Sequence, residues 1–521
     1  MKALISVSDK TGVIEFAREL VGLGFEIIST SGTMKALKDA GIPVTNITDV
    51  TGFPEILGGR VKTLHPKVHG GLLAKREDQE HLAELKENHI EFIDLVCVNL
   101  YPFVKTIAKP DVTMDEAIEN IDIGGPSMLR SAAKNYKYVT VVCDPTDYKL
   151  VLAEIKEYGN TTAETRLRLS AKAFTHTADY DAAISTYMRE KAGLPEVLRL
   201  RFEEKQALRY GENPHQKAKF YREADDIGYS LATAVQIQGK ELSYNNIQDA
   251  NAALSIVREF GRDVPFVVGM KHMNPCGAAI GTDLKDAWTK AYKADPVSIF
   301  GGIVATNQEI GREEAELMMY TIPEEGQEKT SLFLEVILAP KFTDEAKAAF
   351  AQRKNLRLLE FRMEDVKEGK QYVSVNGGLL VQDQDLEIKE LSAEMAVTKV
   401  KPTEEQLADL FFAWKIVKHV KSNAIVVAKD GQTVGVGAGQ MNRVGSAKIA
   451  IEQAHAAGHT QGLVLASDGF FPFGDTALYA AENGVVAIVQ PGGSIRDEES
   501  IKVCDEKGVS MLFTGMRHFK H

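Results

Sequence analysis

The sequence predicts an α/β layer protein, and three observations carry that expectation. Short apolar runs alternate with helix-periodic stretches over the first 150 residues. A long helical stretch then stops at a Gly193–Pro195 break, beyond which a second mixed pattern begins. The composition, 44% hydrophobic and 26% charged over 521 residues, is that of an ordinary globular chain. That length suits roughly two to four domains.

Taken in order, Ala3–Val7 reads as a strand and Lys10–Leu23 as a helix stopped by Gly24. Phe25–Ser29 is a second strand, followed by a helix over Met34–Ala40 that Gly41 ends. Phe92–Val98 and Val139–Cys143 read as buried strands. Strands separated by helices imply a parallel sheet with crossover helices. Ala163 to about Lys191 is helical, and a charged segment, Arg199–Lys205, follows the break, which divides the chain into domains 1–199 and 200–521. In the second part, Phe266–Met270, Ile303–Thr306, Ala424–Ala428, Gly462–Ala466 and Val485–Val489 read as strands, and Leu284–Ala294 as a helix. Asp430–Gly431 is a turn signal. Length suggests two subdomains after residue 200, although no sequence repeat is visible. Residues 340–400 are charged and weakly periodic, so their layout stays open.

A net charge of −12 disfavours nucleic acid as a partner, whereas a local cluster of cations still admits a phosphorylated small molecule. The cysteines Cys97, Cys143, Cys276 and Cys504 form no C-x-x-C pair, which argues against a zinc ribbon or redox motif and fits a reducing, cytoplasmic setting. The N-terminus reads as a first strand rather than a signal peptide, and no apolar run approaches membrane-spanning length. No P-loop or G-x-G-x-x-G occupies a strand-to-helix position, so ATP and nicotinamide cofactors have no visible cradle.

Several polar loops could carry chemistry. Ser8–Gly12 and Ser29–Thr33 each follow a strand and precede a helix, so in a parallel sheet both fall at the carboxyl edge where ligands bind. Gly58–Gly71 brackets Arg60, Lys62, His65, Lys67 and His69 between glycine pairs, which suits an anion or oxyanion site better than a solvated turn. Asn99–Phe103 and Asp122–Pro126 are bland alone: the tyrosine reads as core edge and Lys134 as surface. Leu208–Gln216 packs cation, aromatic, amide and imidazole together. Met270–Gly277 reads as a strand delivering Lys271 and His272 into a turn fixed by Asn274, Pro275 and Gly277, and histidine suits proton transfer near neutral pH. Pro275-Cys276 is a pair also found in zinc deaminases, but the H-x-E element and a second cysteine are missing, so zinc deamination is disfavoured.

With these motifs in order, the chain closely resembles the bifunctional AICAR transformylase/IMP cyclohydrolase family. The likeness is carried by SVSDKTG at 6–12, TGFPEILGGRVKTLHP at 51–66, NLYPF at 99–103 and IDIGG at 121–125. It continues through LRYGENPHQ at 208–216, KHMNPCG at 271–277, KSNAIVVA at 421–428, GAGQMNR at 437–443, SDGFFPF at 467–473 and Arg517-His518-Phe519. The resemblance implies an N-terminal cyclohydrolase of methylglyoxal-synthase-like parallel-sheet fold. It also implies a C-terminal transformylase of two cytidine-deaminase-like α/β subdomains without catalytic zinc, and a homodimer whose transformylase sites lie at the subunit interface. The co-substrate it implies is 10-formyltetrahydrofolate, with no metal.

Carried over by position, cyclohydrolase nucleotide binding falls to Ser8, Asp9, Lys10, Thr30, Ser31, Gly32, Thr33, Arg60, Val61, Thr63, Val98, Asn99 and Ile123. Lys134 matches the proton-transfer lysine, with Lys62, Tyr101 and Asp122 beside it. In the transformylase, Lys271 and His272 match the catalytic pair, and Arg209, Tyr210, Gly301, Glu335, Asn423 and Arg443 match nucleotide contacts. Phe470, Ser494, Ile495 and Arg517 match the folate side. Two positions depart from the animal members: Ser31 stands in place of a glycine and Glu335 in place of an aspartate.

Formyl transfer needs a base because the attacking amine is deactivated by its neighbouring carboxamide, and His272 is the natural candidate. Ring closure is intramolecular, so positioning contributes much of the acceleration. A nucleotide-sensing role for the first domain is the main alternative; the joint presence of Lys62, Tyr101 and Lys134 favours catalysis.

Overall fold

Ala3, Leu4 and Ile5 are consecutive and all fully buried in strand β1 (Lys2–Val7), so the N-terminal sheet is covered on both faces. In the computed structural model, residues 1–223, 228–323, 328–364 and 369–521 are described. The chain divides into two units, Met1–Leu200 and Arg201–His521.

In the first unit β2 (Glu26–Ser29), β3 (Thr45–Asn46), β4 (Leu95–Asn99) and β5 (Thr140–Val142) join β1 in the order β3-β2-β1-β4-β5, every pair parallel. The order reverses at β1, which creates a switch point between the carboxyl ends of β1 and β4. Helix Val13–Gly22 lays Phe16 flat on Tyr148, with ring centroids 4.1 Å apart. The long helix Ala163–Lys191 starts at Thr162, whose hydroxyl caps the N–H of Thr165. Ser170 on that helix donates to the carbonyl of Ala133 (2.8 Å), fastening it to helix Gly124–Lys134. The helix expected over Met34–Ala40 begins earlier, at Ser31, so Ser31, Gly32 and Thr33 form its first turn with Thr30 as N-cap.

The second unit opens with an exposed hairpin, β6 (Phe202–Leu208) and β7 (Ala218–Glu223). Its centre is an eleven-stranded sheet that includes β8 (Val235–Gln238), β9 (Phe266–Lys271), β10 (Asn274–Ile280), β11 (Ile303–Thr306), β12 (Val336–Ala339) and β13 (Arg357–Glu360). A separate exposed hairpin, β14 (Lys370–Val375) and β15 (Gly378–Asp383), lies in the stretch whose layout the sequence left open. The sheet continues with β16 (Ile425–Lys429), β17 (Gln432–Gly437), β18 (Leu463–Ser467), β19 (Val485–Gln490) and β20 (Ser510–Phe513). The strand order is β20-β19-β18-β16-β17-β10-β9-β11-β12-β13-β8.

That order is a duplication. Helix Tyr244–Val257, the hairpin β9–β10 and then β11, β12 and β13 form one set; helix Glu404–Val417, β16–β17 and then β18, β19 and β20 form the other. Each set pairs its first hairpin strand antiparallel to the next strand and then continues in parallel. Alternation sorts the core: Phe266, Val268 and Met270 of β9 and Val426 and Ala428 of β16 join one cluster beneath both 14-residue helices. Val267 faces a second cluster, and Ile425 and Val427 a third, on the opposite face. The two halves meet where Ala279 of β10 pairs with Gln432 of β17. There the Thr433 hydroxyl accepts the N–H of Ala278 at 2.9 Å.

Candidate active sites

In the first unit the sheet's carboxyl edge gathers the expected loops. Asn99, at the end of β4, accepts the N–H groups of Ser8 (2.6 Å) and Asp9 (3.0 Å) and donates to the Asp9 carbonyl (2.8 Å). One carboxamide therefore ties the β1 loop to the β4 loop across the switch point. Thr33 accepts from Val7 N–H and donates to its carbonyl, both at 3.0 Å, and Thr30 meets Ser6 at 2.7 Å. Asp9, Lys10, Ser31 and Gly32 stay exposed, while Val98 is buried in the core and offers only its backbone. The Ser31 hydroxyl donates to Glu55 (2.9 Å).

The start of helix Gly124–Lys134 completes this edge. Asp122 accepts the N–H of Gly125 (2.8 Å), and its own N–H donates to the Tyr180 hydroxyl (2.7 Å). Burial pushes the Asp122 carboxyl up; N–H groups of Gly125 and Tyr101 and the nearby Lys62 charge oppose this. The Lys62 charge and the backbone of Tyr101 thus both act on this carboxylate. A Cβ on Gly124 would stand 2.4 Å from the Thr63 hydroxyl, and one on Gly125 2.5 Å from an Asp122 oxygen, so both approaches require glycine. Arg60 is exposed and ion-paired with Glu119; Val61 bridges back to Ile56, and Ile123 is exposed. Lys134 is exposed. It is the last residue of the helix that Gly124 begins, about 15 Å along the axis at 1.5 Å per residue.

In the second unit the antiparallel pairings bring the carboxyl ends of β9, β18, β19 and β20 and the amino ends of β11, β12 and β16 to one edge. The expected residues of this unit that flank those strand ends therefore share that edge. Lys271 closes β9 and donates through Nζ to the Phe300 carbonyl (2.5 Å), beside Gly301. His272 is exposed in the turn that follows. That turn differs from expectation: it consists of His272 and Met273, and Asn274-Pro275 already belongs to β10. Both turn residues have positive φ, 51° and 60°, the pattern of a type I′ hairpin normally filled by Asn-Gly or Asp-Gly. For non-glycine residues such backbone costs on the order of 1–3 kcal/mol each, and such strain concentrates at working sites.

Other expected contacts are already engaged within the chain. Arg443 is buried, paired with Asp468 and donating to Asn423 (2.8 Å) and the Ala424 carbonyl (3.1 Å), so its guanidinium braces the loop that carries Asn423. Glu335 pairs with Arg357 (2.6 Å). Arg209 lies over the Tyr210 ring at 5.7 Å, in a loop that Asn245 fastens through the Glu212 carbonyl. Phe470 and Ile495 are exposed, Ser494 accepts the Arg496 N–H (3.1 Å), and Arg517 lies over Phe519 at 4.9 Å. Asn274 links the His272 turn to the 421–423 loop: it donates to the His272 carbonyl and accepts from Lys421, both at 3.1 Å. The sequence reading missed Asp468 and Asp249, and gave Asn274 a part in the turn without its link to the 421–423 loop. The SDGFFPF motif contains Asp468, whereas Asp249 has no local signal.

Among the described residues no group of three or more His, Cys, Asp or Glu side chains is arranged to hold a metal. No helix among them is long and apolar enough to cross a membrane.

A parallel switch-point sheet and a duplicated mixed sheet, each with its own polar edge, define a two-unit α/β enzyme acting on small molecules. A family model for the AICARFT/IMPCHase bienzyme matches residues 132–453, and one for the MGS-like domain matches residues 12–127. The chain is 58% identical to the bifunctional purine biosynthesis protein PurH of Bacillus cytotoxicus, over 100% of this chain and 99% of that one. The PurH of Bacillus cereus matches with the same identity and coverage. The crystal structure of ForH is 41% identical over 36% of this chain and 97% of its own, with a TM-score of 0.33. The chain belongs to the AICARFT/IMPCHase bienzyme family. Its activities are formyl transfer to AICAR and the cyclohydrolase step that gives IMP in purine biosynthesis.

Proposed function

We propose that the first unit performs ring closure and the second formyl transfer, with 10-formyltetrahydrofolate as donor. The observation that carries this reading is His272, held exposed in a strained turn beside Lys271. In formyl transfer the substrate amine attacks the formyl carbon, and His272 takes the amine proton as the C–N bond forms. Lys271 stabilises the tetrahedral oxyanion or protonates the leaving folate nitrogen. A lost general base typically costs ~10²–10⁴ in rate and a lost oxyanion donor ~10²–10³.

At the first unit's edge, the Ser8–Lys10 and Thr30–Thr33 loops and the Arg60–Thr63 segment bind the nucleotide. The carboxamide nitrogen then attacks the formyl carbon of the same molecule and water leaves. Lys62, Tyr101 and Asp122 move the protons. Two lysines compete for the principal role: Lys62 has the position, beside the Asp122 carboxylate, and Lys134 has the family likeness.

A homodimer fits the second unit's edge. The ends of β19 and β9 stand five strands apart there, about 24 Å at ~4.8 Å per strand. Ser494 and Ile495 on one side and Lys271 and His272 on the other then form one site most simply with a second copy. The full exposure of Ile495 supports the same reading.

Single variants of the full chain test the assignment. His272→Ala should lower formyl transfer at least ~10²-fold and leave ring closure unchanged. Lys62→Ala should do the reverse, and Lys134→Ala run beside it separates the two lysines. Equal loss of both activities in either His272→Ala or Lys62→Ala, with folding verified, contradicts the assignment.

A further inference from the structure

Two helices of the second unit carry an aspartate at the same place and use it in the same way. Asp249 is the sixth residue of helix Tyr244–Val257, and Asp409 the sixth of helix Glu404–Val417. Asp409 accepts the backbone N–H groups of Asp430 (2.9 Å) and Gly431 (2.7 Å), the turn residues of the β16–β17 hairpin. Asp249 accepts the N–H of Met273 (2.7 Å), and the N–H of His272 helps to hold the same carboxyl down; these two are the turn residues of the β9–β10 hairpin. Burial pushes both carboxyls up, and the turn N–H groups oppose it. All four turn residues have positive φ: 51° and 60° at His272 and Met273, 52° and 70° at Asp430 and Gly431. The second turn has the Asp-Gly sequence that this backbone favours, whereas the first has no glycine. The clamp is the same in both halves, but only the first half uses it to hold residues that resist the conformation.

We propose that Asp249 is the positioning residue of the formyl-transfer site: its carboxylate anchors a glycine-free left-handed turn through the Met273 N–H and so fixes where the His272 ring stands beside Lys271. This rests on the reading of His272 as general base. The turn residues carry no glycine freedom, so without the carboxylate the turn relaxes toward negative φ and the imidazole swings away from the reacting amine.

The test uses the full-length chain, with both activities measured on each preparation. Asp249→Ala should lower kcat for formyl transfer at least ~10-fold, since small misplacements of a reacting group are costly, while KM for AICAR changes less than ~3-fold. Ring closure should be unchanged. Adding Met273→Gly lets the turn keep positive φ without the clamp, so the double variant should recover to within ~3-fold of the parent. Asp409→Ala, whose turn already has Gly431, should lower the unfolding midpoint but leave kcat alone. Parent-like kcat in Asp249→Ala, or a double variant as slow as the single, overturns the proposal. Where Asp249→Ala does not fold, Asp249→Asn keeps the shape and one acceptor oxygen, and is read with and without Met273→Gly in the same way. An inactive His272→Ala beside a fully active Asp249→Ala rejects the positioning role alone; an active His272→Ala rejects the general base itself.

Discussion

At the scale of single residues, the second unit hides a charge network whose pH dependence has a definite sign. Glu259, Lys418 and His419 are buried together, with Lys418 Nζ 3.1 Å and His419 Nε2 2.9 Å from a Glu259 oxygen. Burial pushes the His419 imidazole from 6.5 down to about 4, against the pull of Glu259, so it is neutral in the folded chain at pH 7 while Glu259 pairs with Lys418. Between pH 6.5 and 4 the unfolded chain binds a proton at this site that the folded chain refuses. Stability from this group is therefore complete above pH 6.5 and lost as pH falls toward 4, by on the order of 3 kcal/mol. Urea unfolding of the second unit, followed across that window, should show this fall, and His419→Gln should flatten it; an unchanged slope in the variant would exclude His419 as its source. Such residues were poorly legible in the sequence. Asn99 and Asp122 lay in segments that are bland alone and entered only through the NLYPF and IDIGG motifs of the family likeness, but Asp249 lies 23 residues ahead of the turn it clamps, inside a helix whose pattern gives no hint of that contact.

Among elements, the central fact is the duplication of helix, hairpin and three strands. Strands with continuous apolar runs, such as β11 and β18, were visible, and helix Leu284–Ala294 matched its expected bounds. The repeat itself was not, because the two hairpin turns share geometry and not residue type: His272-Met273 in one answers to Asp430-Gly431 in the other. Nor was the β14–β15 hairpin, which is exposed on both faces and so lacks the alternation that marks a half-buried strand. The halves are stitched by the Ala279–Gln432 pair and the Thr433 hydroxyl. Thr433→Val keeps the shape and strands the Ala278 N–H, so it should cost about 1–3 kcal/mol in unfolding experiments. No change would mean that the stitch contributes nothing to holding the seam.

For the whole molecule, two chemistries are assigned to two units with separate cores. The cluster of the first runs from Ala3 to Tyr187 and, among the described residues, draws on none beyond Leu200. Its sheet, its switch-point loops and the Asp122–Lys62–Tyr101 group all lie within the same 200 residues. The sequence reading put its boundary at the Gly193–Pro195 break, where a long helical pattern ends and a new one begins. The most direct measurement is on a fragment of residues 1–200, checked for folding by circular dichroism and then supplied with formyl-AICAR. The fragment should fold alone and produce IMP, with no formyl transfer when given AICAR and 10-formyltetrahydrofolate. A folded fragment that leaves formyl-AICAR unconverted would contradict the assignment of ring closure to the first unit.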